Sequence, residues 1–242
     1  MEIATRDTLS SVCDPLMLRT AVRLSKEAYN DRLMMVDQFP YGSKRFDAWY
    51  SSATAFLAKG EHYDALVFRG TKEKLDILID LMAIPVKYGN TWCHSGFAFS
   101  HWSVWKDIKK NIDPDKPLLI TGHSLGGGNA DKTCDFMGGH RADVHMITFG
   151  KPNVHLKGQD PCRGFLKTHL SVVSGSDLVT RLPRYLYGAH PMQDMLYLAN
   201  TGVNYIDPPS EFVKDDFSKA DSLSDHFIDG PYTRRIKRLL IS

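Results

Sequence analysis

The sequence predicts an α/β fold, a mostly parallel central sheet flanked on both faces by helices, and two observations carry that prediction. Short apolar runs at 65–68, 118–121, 144–149, 169–173 and 195–198 alternate with helical or irregular connections. The runs are mostly apolar and contain no Asp, Glu, Lys or Arg, the pattern of strands buried on both faces.

Taken in order, Leu16 to Asn30 reads as a helix, with Leu18, Ala21 and Val22 on one face and Arg19, Arg23, Lys26 and Glu27 elsewhere. Ala65 to Phe68 is a buried strand closed by the turn Arg69-Gly70-Thr71. Residues 72–84 return to helical periodicity, with Leu75, Leu78, Ile79 and Met82 on one stripe, and Pro85 ends the segment. Gly96 to Asn111 reads as a helix with Phe97, Trp102 and Trp105 on an aromatic side and Lys106, Lys109 and Lys110 at its C-terminal end, where the helix dipole favours cations. The strands Leu118–Thr121, Val144–Phe149, His169–Val173 and Met195–Leu198 follow, and Pro208-Pro209 with the polar run Lys214 to Asp221 reads as surface loop.

At 242 residues, 43% of them hydrophobic, the chain is expected to form one domain over 1–242. Thirty basic residues against 28 acidic ones give a net charge of only +2, so nothing global points to nucleic acid. Arg234, Arg235, Lys237 and Arg238 cluster near the end of the chain, read as a solvated helix face, with attraction to an anionic membrane surface as the sharper alternative. Cys13, Cys93, Cys134 and Cys162 lack CxxC spacing, which argues against zinc; free buried thiols are the default, and a disulfide stays open. The first residues show no secretory leader and no run approaches the roughly 20 apolar residues of a membrane span, so membrane contact would be peripheral. A cytoplasmic start is favoured, with non-classical export as the other route.

Gly122-His123-Ser124-Leu125-Gly126 fits G-x-S-x-G, directly after a strand and before a helix. A nucleophile on so sharp a turn passes close to neighbouring backbone, which Gly122 and Gly126 permit by lacking a Cβ. The following helix points its first N–H groups at a developing oxyanion, and the N–H of Leu125 is the expected first donor. His123, adjacent to the nucleophile, would point elsewhere and is read as structural.

Extended to Thr121–Gly127, this run resembles the nucleophile elbow of the class 3 lipases, the fungal-type triacylglycerol lipase family of the α/β-hydrolase superfamily. Other segments resemble family motifs in the same order: Phe68-Arg69-Gly70-Thr71 the oxyanion loop, Cys93 to Phe97 the "H-x-G-F" segment, and Thr148 to Pro152 the "T-F-G-x-P" strand end. Asp177 to Pro183 resembles the acid segment "D-x-V-P-x-L-P", with Thr180 where the family usually has proline, and Asp225-His226 resembles the C-terminal "D-H". The similarity runs from about residue 65 to the C-terminus.

The resemblance implies a Ser-Asp-His triad of Ser124, Asp177 and His226, with His226 as base in preference to His190, whose surroundings resemble a non-catalytic family segment. It implies Thr71 as second oxyanion donor, although Thr71 could also cap the helix that follows, and it places a lid at 72–84, for which an ordinary core-packed helix is the alternative. The expected activity is carboxylic ester hydrolysis through an acyl-enzyme, on lipid esters of the triacylglycerol or phospholipase A1 kind, with no metal or organic cofactor. Activity is expected to fall as His226 takes up a proton. The partners are a lipid or ester substrate and, at most, a membrane or micelle surface. Two rivals remain: an acyltransferase using the same triad, and a non-catalytic hydrolase fold that binds lipid or another ligand.

Overall fold

The mostly apolar runs lie side by side at the centre of a large sheet. In the computed structural model, which describes all residues except 32, 34–37, 50, 72–83, 160–163, 184–185, 189–193, 218–223 and 242, five neighbouring strands run parallel. They are β4 (Asp64–Phe68), β7 (Leu118–His123), β8 (Val144–Phe149), β10 (Thr168–Ser174) and β12 (Asp194–Leu198). Antiparallel strands extend both edges: β3 (Thr54–Ala58) and β2 (Ser43–Asp47) beyond β4, and β13 (Asn204–Ile206) and β1 (Glu2–Ile3) beyond β12. The expected parallel sheet is therefore present as the centre of a larger mixed one, whose antiparallel pairings all lie at its two edges. Four short strands, β5 (Pro85–Tyr88), β6 (Thr91–His94), β9 (His155–Leu156) and β11 (Tyr187–Gly188), form a separate antiparallel sheet.

Alternation along the central strands divides the core in two. Ala65, Val67, Leu119, Ile147, Leu170 and Val172 face α2 (Pro15–Glu27) and α6 (Thr233–Ile241). Leu66, Phe68, Leu118, Ile120, Val144 and Met146 face α3 (Ser95–Ile108) and α4 (Leu125–Thr133). Fully burying one such side chain contributes about 1.5–3 kcal/mol, so each layer is held chiefly by this apolar contact. The start of α2 is set by Asp14, whose carboxylate accepts the Leu16 N–H, with Pro15 at the first helical position. A buried bond of 3.0 Å between Ser25 Oγ and Thr121 Oγ1 ties α2 to the strand that leads into the G-x-S-x-G turn.

Several local expectations need correction. The loop expected over Lys214 to Asp221 is corrected in its first part, where Ser210–Phe217 forms helix α5, after the short α1 (Arg6–Ser10) at the other end of the chain, while residues 218–221 lie outside the described residues. Phe212 packs on Tyr197 and Tyr205, and Asp216 is buried because it accepts from Tyr197 OH at 2.9 Å and Asn200 N at 3.0 Å. A buried carboxylate with strong donors reads as a surface residue until its partners are known. In α3, Phe97 and Trp105 are buried but Trp102 is 56% exposed, since five residues from Phe97 carry it about 140° around the helix. The free-thiol expectation holds for Cys13 and Cys93 but not for Cys134, which is disulfide-bonded. Sequence spacing says nothing about cysteines that the fold brings together. The helix expected over 72–84, with Leu75, Leu78, Ile79 and Met82, lies outside the described residues apart from Ile84, as does His190.

Candidate active site

β7 ends at His123 and α4 begins at Leu125, leaving Ser124 alone on the turn between them. Its backbone has φ 58° and ψ −128°, a conformation that costs a non-glycine residue about 1–3 kcal/mol and persists only where the surroundings enforce it. The enforcement is visible on both sides. Ser124 N donates to Phe149 O of the adjacent strand at 3.0 Å, and Gly128 N donates to Ser124 O at 3.1 Å. A Cβ on Gly122 would lie 2.4 Å from Gly126 O, and one on Gly126 would lie 2.2 Å from Phe68 O. We therefore expect Gly126→Ala to destabilise the protein by about 3 kcal/mol, the upper end for overpacking against unyielding backbone, read as a lowered midpoint in urea unfolding.

The strained turn presents Ser124 Oγ to His226 Nε2 at 2.8 Å, and His226 Nδ1 lies 2.9 and 3.0 Å from the two oxygens of Asp177. All three side chains are buried. Because Nδ1 faces a carboxylate, it carries the imidazole proton, which leaves the Nε2 lone pair to accept from the serine hydroxyl. Asp177 also accepts from Val179 N at 3.0 Å and from Tyr232 OH at 2.5 Å. Burial, reinforced by the Asp177 charge, holds the Tyr232 phenol well above the ordinary tyrosine range, so this group remains a donor. Gly150 makes room for the cluster: at φ 54°, a Cβ there would lie 2.7 Å from Asp177 Oδ2 and 2.9 Å from Tyr232 OH. Thr180 sits in the one-turn helix after Asp177 and donates to Asp177 O at 2.8 Å, so its hydroxyl ties down the acid loop where the family usually places proline.

Residues outside the triad support the constellation, and of these Tyr29, Ser176 and Arg235 belong to no motif quoted above. Asp225, next to His226, accepts from Ser176 N, next to Asp177, at 2.8 Å and is paired with Arg235, which clamps the two loops together. His123 Nε2 meets the carbonyl of His226 at 2.7 Å and must donate to it; His123 Nδ1 then accepts from Tyr29 OH at 2.8 Å. His123 thus points away from the serine hydroxyl and braces the backbone of His226. The Tyr29 hydroxyl also lies where a Cβ on Gly70 would stand, so the same tyrosine abuts the loop that carries Thr71.

Burial, with the nearby His226 adding to it, holds the His123 imidazole well below the ordinary histidine range, and burial does the same to His101, on the buried face of α3. Both are neutral when folded but take up a proton when unfolded below about pH 6.5. Their stabilisation is therefore complete above that value and is lost as pH falls. Stability is expected to drop by about 1.4 kcal/mol per pH unit for each of them below pH 6, measurable by urea unfolding between pH 7 and 5.

Of the two expected oxyanion donors, Leu125 is the first residue of α4, where an N–H has no carbonyl to bond within the helix. Thr71 is half-buried and follows β4, whose Phe68 pairs with Gly122 beside the turn. Arg69 in that loop is ion-paired with Asp31, itself at φ 58°. Among the described residues, no cluster of three or more histidine, cysteine or acidic side chains could hold a metal.

Sheet, turn and hydrogen-bonded serine, histidine and aspartate define a serine hydrolase of the α/β-hydrolase fold. A family model for lipase (class 3) matches residues 65–186, about half of the chain, and the protein belongs to the class 3 lipase family. It is a serine carboxylic ester hydrolase that acts on lipid esters. The fold is similar to that of Rhizomucor miehei triacylglyceride lipase, with a TM-score of 0.72 at 17% identity over 97% of this chain and 99% of that one. A Yarrowia lipolytica lipase gives 0.72 at 16% identity, with 96% of each chain covered. A triacylglycerol lipase whose catalytic centre is a serine protease triad gives 0.69 at 20%, covering 86% of this chain and 91% of that one. At these identities the likeness is one of fold.

Proposed function

We propose that Ser124, His226 and Asp177 are the catalytic residues and that residues 1–242 form one α/β-hydrolase domain. The observation that carries this reading is the continuous buried chain from Ser124 Oγ through His226 to Asp177, with both links at 3.0 Å or less. Ser124 Oγ attacks the ester carbonyl while its proton passes to His226 Nε2, and Asp177 holds the imidazolium that results. The N–H groups of Leu125 and Thr71 receive the oxyanion; losing one such donor typically costs about 10²–10³ in turnover. Collapse of the tetrahedral intermediate expels the alcohol, which takes the proton from His226. Water then repeats the sequence on the acyl-enzyme and releases the carboxylic acid.

The substrate we infer is a long-chain acyl ester presented at a lipid surface, as a triacylglycerol or a diacyl phospholipid. Phe97 of α3 packs in one cluster with Leu125, beside the nucleophile, while Phe99 and Trp102 of the same helix are half exposed and stack on one another with ring centroids 6.3 Å apart. Exposed aromatics on a helix whose buried side packs beside the nucleophile suit contact with the headgroup region of a lipid surface.

Hydrolysis of p-nitrophenyl esters from acetate to palmitate, with and without detergent micelles, tests the reading. Rates that rise with chain length and again with micelles are expected. A maximum on acetate with no response to micelles would make the protein a short-chain esterase. Faster acyl transfer to added glycerol than to water would favour the acyltransferase rival.

A further inference from the structure

A groove between α2 and α6, on the outer face of the helical layer, has no part in the ester chemistry described above. Its volume is about 460 Å³, inside the range of about 300–1,000 Å³ typical of small-molecule sites. Val22, Ile236 and Leu240 supply an apolar floor, drawn from one stripe of each helix. Basic side chains stand over it.

Not all of that positive charge is neutralised by the protein. Arg23 pairs with Glu27 at 2.9 Å, and Lys26 pairs with Asp229 at 2.5 Å. Arg19 and Lys237, which also line the groove, have no ion-pair partner among the described residues. Glu27 is the one acid on the lining, and its Oε2 is buried without a hydrogen-bond partner. A neutral lipid would leave the two cations unmatched, and a small inorganic anion would leave the apolar floor wet. An amphiphile with one chain and an anionic head satisfies both.

We propose that this groove binds a long-chain carboxylate, its head between Arg19 and Lys237 and its chain along Val22, Ile236 and Leu240. The site is separate from the catalytic cleft, and the proposal rests on the lipid-ester reading only for the origin of the ligand: the acid that each turnover releases.

The test is calorimetric titration of monomeric laurate into Ser124→Ala protein, where no turnover intervenes. Two groove variants with opposite expected signs are compared, each checked for folding by circular dichroism. The double variant Arg19→Glu/Lys237→Glu should weaken laurate binding about tenfold or more, because two attractive charges become repulsive. Glu27→Gln removes the one acid from the lining and should tighten binding about threefold. Dodecanol, which has the chain without the charge, should respond to neither change. Laurate binding that ignores both variants would assign the ligand to the catalytic cleft and overturn the proposal. Binding to phosphatidylglycerol vesicles without binding to monomeric laurate would overturn it in favour of a membrane-facing surface. Failure of the ester-hydrolase reading would show instead as a wild-type protein inert on every ester, a result independent of these titrations.

Discussion

Ser124→Ala is expected to lower kcat on p-nitrophenyl laurate by about 10⁶ with little change in stability. In the proposed mechanism the change removes the atom that forms the acyl bond, and no other nucleophile stands at the turn. His226 loses one partner at 2.8 Å, a neutral hydrogen bond that contributes only about 1 kcal/mol. Alanine leaves the φ of 58° unrelieved, so the strain of the turn persists in the inactive protein. Ser124→Gly separates the two effects: it should be as inactive as the alanine variant yet more stable by about 1 kcal/mol, because glycine adopts this conformation freely. A variant that unfolds at the same urea concentration as wild type and keeps more than a thousandth of its kcat would remove Ser124 from the mechanism.

The parts of this molecule that were legible in the sequence are those whose cause is local. β4, β7, β8, β10 and β12 each hold a mostly apolar run because helices cover both faces, and such runs need no partner to be recognised. β2 was missed for the opposite reason: in Ser-Lys-Arg-Phe-Asp only Phe46 is buried, and an edge strand with one buried residue has no periodic signal. β1, β9 and β11 are two residues long and exist only through their pairings. The active-site turn is also local, since Gly122 and Gly126 answer to sterics within a few residues of Ser124. Tyr29, Asp225 and Tyr232 act across 94, 49 and 55 residues respectively, and each is an ordinary side chain until the fold brings it to His123, Ser176 or Asp177. The family motifs record such pairings where they recur with fixed neighbours, as in Asp225-His226, and have nothing to say of a lone tyrosine.

Asp177→Asn is expected to lower kcat by about 10⁴ while the fold persists. The effect follows from the tautomer rather than from lost contact. Val179 N and Tyr232 OH donate to separate oxygens of Asp177, and an asparagine has only one oxygen with which to accept. Whichever way the amide turns, its NH₂ competes for the space facing His226 Nδ1. Imidazole then accepts at Nδ1 and carries its proton on Nε2, aimed at Ser124 Oγ, so the base can no longer take the serine proton. Tyr232→Phe is the contrasting case. It removes one donor to the carboxylate but leaves the charge and the tautomer in place, so it should cost about 2 kcal/mol of stability, the value of a hydrogen bond to a charged group, and far less activity than the asparagine. The two variants divide the roles: Asp177 orients His226, and Tyr232 positions Asp177. If Asp177→Asn kept more than a hundredth of wild-type kcat, the carboxylate would not be setting the tautomer, and its burial among His226, Val179 and Tyr232 would be structural only.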